Sequence, residues 1–129
     1  MNALQRLTPA LVNEDPEFKL AARMWHGDVV FASGDDALRM TVRDGRVTEV
    51  VPSAAGAAAQ VRIAATEDVW EQMLRPAPPP FYHDLFGAVA RHGVVLAGEP
   101  TDVFPYYPAL RRVIELLRSA TGEANGAVR

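Results

Sequence analysis

The sequence contains no cysteine, which excludes disulfide bonds, thiolate zinc sites and cysteine nucleophiles. It also lacks any apolar run near the roughly 20 residues that span a bilayer. The N-terminal stretch MNALQRLTPALVNEDPEF has no uninterrupted apolar core of the kind that defines a signal peptide. Together these absences predict a cytoplasmic protein with no transmembrane segment.

The sequence also has no excess of positive charge, because it contains 13 Lys and Arg residues and 16 Asp and Glu residues, for a net charge of −3. A nucleic-acid-binding surface needs concentrated basic charge, so we expect no nucleic-acid partner. The 129 residues, 49% hydrophobic and 22% charged, have the size and composition of one globular domain. We expect a flexible arm over 1–13, a single domain over 14–121 and a frayed tail over 122–129.

The apolar periodicities predict a helix, four strands, two helices, a fifth strand and a final helix, in that order. Asp15 is the predicted cap of the first helix, Pro16 suits its first turn, and Gly27 is its predicted end. Within the strands, Asp44-Gly45 is a strong hairpin signal. The predicted fold class is α+β, a five-stranded, mainly antiparallel sheet with helices packed on one face.

Two further helices flank a proline-rich corner. Thr66 is the predicted N-cap of the second helix, and the third helix is predicted to begin at Phe81. Residues 75–80, RPAPPP, separate them, because each residue before a proline is pushed out of helical conformation. The final helix has one apolar face, predicted to point inward and made of Leu110, Val113, Ile114 and Leu117.

Three phrases of the sequence follow one another: ALRMTVRDGRVTEV, AQVRIAATEDVWEQML and ARHGVVLAGEP. They read as a hairpin, a strand leading into a capped helix, and a strand bracketed by glycines. In this order and spacing they resemble the sterol carrier protein 2 (SCP2) family over residues 18–118. The resemblance implies an SCP2-like fold whose helices leave an apolar cavity for a lipid, sterol or fatty acyl chain, and it implies no catalysis and no cofactor.

The sequence departs from the family pattern in places. Gly98-Glu99 stands where Gly-Asp is common, and the corner between the helices is unusually rich in proline. The C-terminal AVR is not a peroxisomal address of the Ser-Lys-Leu kind. The resemblance therefore points to a small bacterial relative rather than to a peroxisomal protein.

Aromatic and methionine side chains from separate elements should approach one face of the sheet. They either fill a close-packed core or, if the proline corner splays the helices, line an adaptable apolar cavity. The ligand for such a cavity would be a fatty acid, an acyl-CoA or a sterol-like molecule. The residues predicted to line it are Phe31, Met40, Trp70, Met73, Phe81, Leu85, Phe86, Phe104 and Tyr107.

Neither a catalytic site nor a metal site is predicted. On the helix expected from Phe81, His83 and Asp84 would point about 100° apart and could not form a hydrolytic pair. No Gly-x-Ser-x-Gly elbow supplies a nucleophile. The three histidines, His26, His83 and His92, fall at different helix ends and do not converge as metal ligands would.

Two other possibilities stay open. Arg39, Arg43 and Arg62 either keep the outer sheet face solvated or form a phosphate or partner-docking patch. The whole domain could instead be an interaction module with a closed core, docking on a partner enzyme through the helix face around Tyr82 and Arg111. Exposed aromatic residues could equally make a homodimer.

Overall fold

The structure, a computed structural model, describes residues 4–127, with side chains as far as residue 122. The strands are β1 (Gly27–Ser33), β2 (Asp36–Arg43), β3 (Arg46–Ala54), β4 (Val61–Ala65) and β5 (Val95–Ala97). The helices are α1 (Pro9–Asn13), α2 (Pro16–Ala21), α3 (Glu67–Met73), α4 (Leu85–Arg91), α5 (Pro100–Val103) and α6 (Tyr107–Ala127), with a 3₁₀ turn over Phe104–Tyr106 before α6. No helix within residues 4–127 is long and apolar enough to cross a membrane.

The five strands form one sheet in the order β3-β2-β1-β4-β5. All neighbours are antiparallel except β1 and β4, which run parallel. The predicted five-stranded, mainly antiparallel sheet is therefore confirmed, with one parallel pair inside it. The connection from β1 to β4 contains β2, β3 and then the alanine-rich crossover segment 55–60, and it has no helix.

The main core lies on one face of the sheet, under the helices. Register places Val29, Met40, Phe31 and Ile63 on this face, because the strand period of two brings cross-strand partners to the same side. All four are fully buried. The helices contribute the other side of the core, and the four predicted inward residues of α6 are at most 3% exposed, which confirms that prediction: Leu110, Val113, Ile114 and Leu117.

Helix α2 is shorter than predicted. Asp15 caps it as expected, its side chain accepting a hydrogen bond from the Phe18 amide, but the helix ends at Ala21 rather than at Gly27. Gly27 instead opens β1, where a Cβ atom would lie 1.8 Å from the Gln60 side-chain oxygen. The Gln60 amide group occupies that space because it accepts a 2.8 Å hydrogen bond from the Trp25 indole.

The segment predicted as a flexible arm is packed where it is described. Leu4, Leu7 and Val12 are buried in the main core, and α1 is fixed to β3 through the Asn13 amide. Burial of these three apolar side chains, which lie within nine residues, stabilises the segment, although their spacing does not form a clear helical pattern in the sequence. Residues 1–3 and 128–129 of the predicted arm and tail lie outside the described residues.

Candidate functional site

The proline corner does not lead directly into a helix. The third helix was predicted from Phe81, which is wrong: α4 begins at Leu85, with Asp84 at its N-cap. Phe81 has a φ of 67°, in the left-handed region that interrupts a helix, and its backbone packs against Gly87, where a Cβ would lie 3.2 Å from the Phe81 oxygen. The Phe81 ring is 47% exposed, with the Arg91 guanidinium 4.7 Å above it.

Three aromatic residues meet beside α4, and we call Phe86, Phe104 and Tyr107 the aromatic rim. The Phe86 and Tyr107 rings stack with centroids 4.1 Å apart, and the Phe86 and Phe104 centroids are 6.3 Å apart. Phe86 and Phe104 remain 42% and 60% exposed. Large aromatic side chains that stay in water while contacting each other mark a surface available to an apolar partner.

An apolar pocket of about 180 Å³ opens beside the aromatic rim, between α4, β5 and α5. Gly98 sits at its base with a φ of 150°, and a Cβ there would lie 2.7 Å from the Gln60 carbonyl oxygen. The close approach of this loop to β4 therefore requires glycine. The pocket is lined by Phe86, Val89, Leu96, Gly98, Pro100, Val103 and Phe104. Of these, only Phe86 and Phe104 were predicted from the sequence, where the one signal for the others was the Gly-Glu-Pro turn after β5.

Two hydrogen bonds fix the Tyr107 side chain of the aromatic rim. The Tyr107 hydroxyl donates to the Asp84 carboxylate over 3.1 Å and accepts a hydrogen bond from the Phe86 amide over 3.2 Å. Burial, together with the negative charge of Asp84, raises the pKa of Tyr107 to about 12. Tyr107 therefore stays protonated and fixes the first turn of α4, since Asp84 makes no capping hydrogen bond of its own.

Replacing Tyr107 by phenylalanine is expected to lower the free energy of unfolding by about 1 kcal/mol, because both hydrogen bonds are lost. The folded-state pKa is above the unfolded value of 10, so the wild type should lose stability as pH rises from 10 to about 12, and the variant should lose less. Urea unfolding at pH 7 and pH 11 measures both effects. Tyr106→Phe, which loses only a 3.2 Å bond to the Met24 carbonyl, is the control and should keep the alkaline loss.

The other predicted lining residues lie in the core. Only Phe81 and the aromatic rim reach the surface, and the remaining five are each at most 1% exposed. Among them the Trp70 indole donates a 2.8 Å hydrogen bond to the Ala32 carbonyl and packs against Phe31. The structure thus divides the nine residues into an outer group and an inner group, the latter being Phe31, Met40, Trp70, Met73 and Leu85.

The polar residues of the corner make separate contacts. The Tyr82 ring stacks on His92 with centroids 3.5 Å apart, while Asp84 is bound by Tyr107. His83 and Asp84 were predicted to point apart because both were placed on a helix, whereas both precede α4. No hydrogen bond between them occurs among the described side chains. Across residues 4–122, no three histidine or carboxylate side chains come together in a way that could hold a metal ion.

Two of the three arginines on the outer sheet face brace a loop. Arg39 pairs with Asp28 and donates to the Ala58 carbonyl, and Arg62 donates to the Ala55 carbonyl. These contacts hold the crossover segment 55–60 over a second, smaller core of Val30, Ala32 and Ala37. The exposed Arg43 side chain instead donates a hydrogen bond to the Val42 carbonyl of its own strand.

No family model and no curated protein matches the sequence. Solved structures do share its fold. A crystal structure of sterol carrier protein 2 is 19% identical, with a TM-score of 0.70 over 84% of this chain and 88% of that one. A conserved hypothetical protein of Thermus thermophilus, possibly a sterol carrier protein, is 20% identical, with a TM-score of 0.65 over 86% of this chain and 81% of that one.

A third neighbour is UbiJ-SCP2, a ubiquinone synthesis protein, at 14% identity and a TM-score of 0.56 over 90% of this chain and 88% of that one. The three structures agree in architecture with the sheet and helices described above, at identities of 14–20%. The chain therefore has the SCP2-like fold that its sequence phrases predict.

Proposed function

We propose that the protein is a small, non-catalytic lipid-binding domain that takes the tail of a fatty acid, acyl-CoA or sterol-like ligand through the aromatic rim. The observation that carries the proposal is the apolar pocket beside exposed, mutually stacked aromatic rings, on the SCP2-like fold. An apolar tail gains about 25 cal/mol for each Å² that it removes from water.

The pocket of about 180 Å³ is smaller than the ~300–1,000 Å³ of a site that encloses a whole small ligand, so the ligand tail has to extend further inward. Helix α4 links the two groups of predicted lining residues, because Leu85 is buried in the core while the next residue, Phe86, belongs to the rim. Displacement of α4 would connect the pocket to the inner group.

Two features make α4 the element suited to move. It has seven residues, and the chain before it, over residues 74–84, has neither helix nor strand. A helix this short is not stable by itself and depends on its packing. The inner group would then line the inward part of the cavity in the ligand-bound form, and the proline corner and Phe81 would form the wall beside its entrance.

The first test is native mass spectrometry of protein purified from its expression host, followed by lipid extraction. We expect a stoichiometric lipid, or binding of cis-parinaric acid to the delipidated protein that palmitoyl-CoA or cholesterol displaces. Phe86→Asp should weaken parinarate binding about tenfold or more, since a charge at the rim opposes entry of the tail. Leu20→Asp is the matched control, an equally drastic change at a 65% exposed side chain on α2, and should bind as the wild type does.

The proposal would be overturned if the native mass spectrum showed only the ligand-free protein and did not change after incubation with fatty acids, acyl-CoA and sterols. The domain would then fit an accessory module that uses its exposed aromatic residues to dock on a partner enzyme. Equal binding by Phe86→Asp and wild type would place the entrance elsewhere.

A further inference from the structure

A second pocket, of about 230 Å³, lies where the β2–β3 turn meets the end of α2, near edge strand β3, whereas the first pocket borders the other edge strand, β5. Its charged lining consists of Lys19, Arg23, Arg46 and Asp44. Within the described part of the chain, none of the three cations forms an ion pair. The pocket therefore carries a local excess of positive charge in a protein whose net charge is −3.

The close approach of the turn to α2 brings these cations together. Asp44 and Gly45 have φ values of 52° and 72°, and a Cβ on Gly45 would lie 2.5 Å from the Ala22 carbonyl oxygen. The Gly45 amide also donates a 3.0 Å hydrogen bond to the Trp25 carbonyl. Glycine at this position thus lets the hairpin sit directly on the end of α2, which places Arg46 beside a pair of basic residues more than twenty positions earlier.

Asp44 and two carbonyl oxygens at the end of α2 each have a hydrogen-bonding neighbour. The Asp44 carboxylate lies 2.9 Å from Nε2 of His26. The carbonyl oxygens of Leu20 and Ala22, at the end of α2, accept hydrogen bonds from the Arg23 side chain and the Trp25 amide. An anion in the pocket would meet cationic donors rather than unpaired carbonyl oxygens.

The wall of the pocket that Asn13 forms is held by two hydrogen bonds. The Asn13 side chain donates to the Val47 carbonyl and accepts from the Val47 amide, both over 2.8 Å. This pair of bonds joins α1 to the start of β3, at the residue after Arg46. These bonds between side chain and backbone hold this wall of the pocket, while the Lys19, Arg23 and Arg46 side chains form no ion pair within the described residues.

We propose that this pocket binds a phosphate group, held by Lys19, Arg23 and Arg46. Guanidinium groups match phosphate oxygens in bidentate geometry, and an ammonium group adds a compact charge with three donors. The phosphate can belong to a soluble phosphate ester or to the headgroup of an anionic lipid. The site is separate from the aromatic rim, so its existence does not depend on the lipid-binding function proposed above.

The test is an NMR titration of the ¹⁵N-labelled protein with glycerol 3-phosphate, beside sedimentation with phosphatidylcholine vesicles containing phosphatidic acid. We expect saturable shifts of the Gly45 and Arg46 amides, vesicle binding, or both. Shifts with the soluble ester identify a free phosphate ester as the ligand, and binding to vesicles alone identifies the lipid headgroup. Lys19→Gln and Arg46→Gln should each weaken binding about three- to tenfold.

Arg43→Gln is the matched control, because it removes one exposed positive charge from the same hairpin at a residue outside the pocket. Equal weakening by Arg43→Gln and Arg46→Gln would show a general charge effect and overturn the site. So would the absence of both saturable shifts and vesicle binding in the wild type.

Discussion

Replacing Trp70 by alanine is expected to lower the free energy of unfolding by about 3–5 kcal/mol. The side chain is fully buried, and its ring packs on Phe31 with centroids 6.3 Å apart. Truncation removes this contact area, leaves a cavity and deprives the Ala32 carbonyl of its 2.8 Å hydrogen bond. A domain of this size has roughly 5–15 kcal/mol of stability in total, so the variant should unfold at much lower urea concentration.

Trp70→Phe separates the packing contribution from the hydrogen bond. It keeps an aromatic ring on α3 and loses the indole donor, so the expected loss is about 1–3 kcal/mol. Urea unfolding followed by far-ultraviolet circular dichroism measures both variants without relying on tryptophan fluorescence. A loss below about 1 kcal/mol for Trp70→Ala would contradict a close-packed core and favour a loosely filled cavity around this residue.

Breaking the contact between Asp15 and Arg112 is expected to have the next largest effect. The Asp15 carboxylate accepts two 2.8 Å hydrogen bonds from the Arg112 guanidinium and also caps α2 through the Phe18 amide. Its side chain is only 9% exposed. Asp15→Ala loses both the ion pair and the cap, and should cost about 2–4 kcal/mol.

Asp15→Ser is the matched variant, because serine caps a helix but cannot form the ion pair. It should be more stable than Asp15→Ala by about 1 kcal/mol. Equal stability of the two variants would mean that the cap contributes nothing. Arg112→Met removes the same ion pair from the α6 side. It also loses the Arg112 contacts to Glu17 and Glu115 and leaves the Asp15 carboxylate unpaired, so it should cost more than Asp15→Ser.

The same pair predicts a dependence on acid. The hydrogen bond from Arg112 holds the pKa of Asp15 below its ordinary value of 3.8. The contribution is therefore complete above pH 3.8 and is lost as pH falls through the lower folded-state pKa, because the unfolded chain takes up the proton first. Urea unfolding between pH 6 and pH 2 should show wild type and Asp15→Ser converging at the acid end; a constant difference would contradict the ion pair.

Local signals account for the parts of the fold that the sequence predicts well. Asp15 and Thr66 cap their helices as expected, the latter accepting a 3.2 Å hydrogen bond from the Val69 amide. Asp44-Gly45 turns the β2–β3 hairpin with both residues at positive φ. These features depend on neighbouring residues alone, which is why a single sequence is enough to place them.

The start of α4 shows where local signals fail. Asp84 and Leu85 begin the helix because Tyr107, more than twenty residues later, anchors the first turn. The residues from Phe81 to Asp84 have an apolar and polar spacing compatible with a helix, yet Phe81 has a left-handed backbone and Asp84 an extended one, so no helix runs through them. Hydrogen bonds from Tyr107 and Arg118 of α6, which are distant in sequence, hold this segment in the observed conformation.

Sequence patterns alone predict the α+β class, the five strands and four of the helices in their order, the hairpin, the caps of α2 and α3 and the inward face of α6, but not the short helices α1 and α5. The tertiary structure alone decided the parallel pairing of β1 with β4, the division of the predicted lining residues into a buried group and a surface group, and the two pockets. Periodicity and capping act over a few residues, whereas burial and pocket shape depend on contacts between segments far apart in the chain. For that reason Phe86 could be predicted from the sequence as a lining residue but not its place at the surface, and Arg46 drew attention only once the structure placed it beside Lys19 and Arg23.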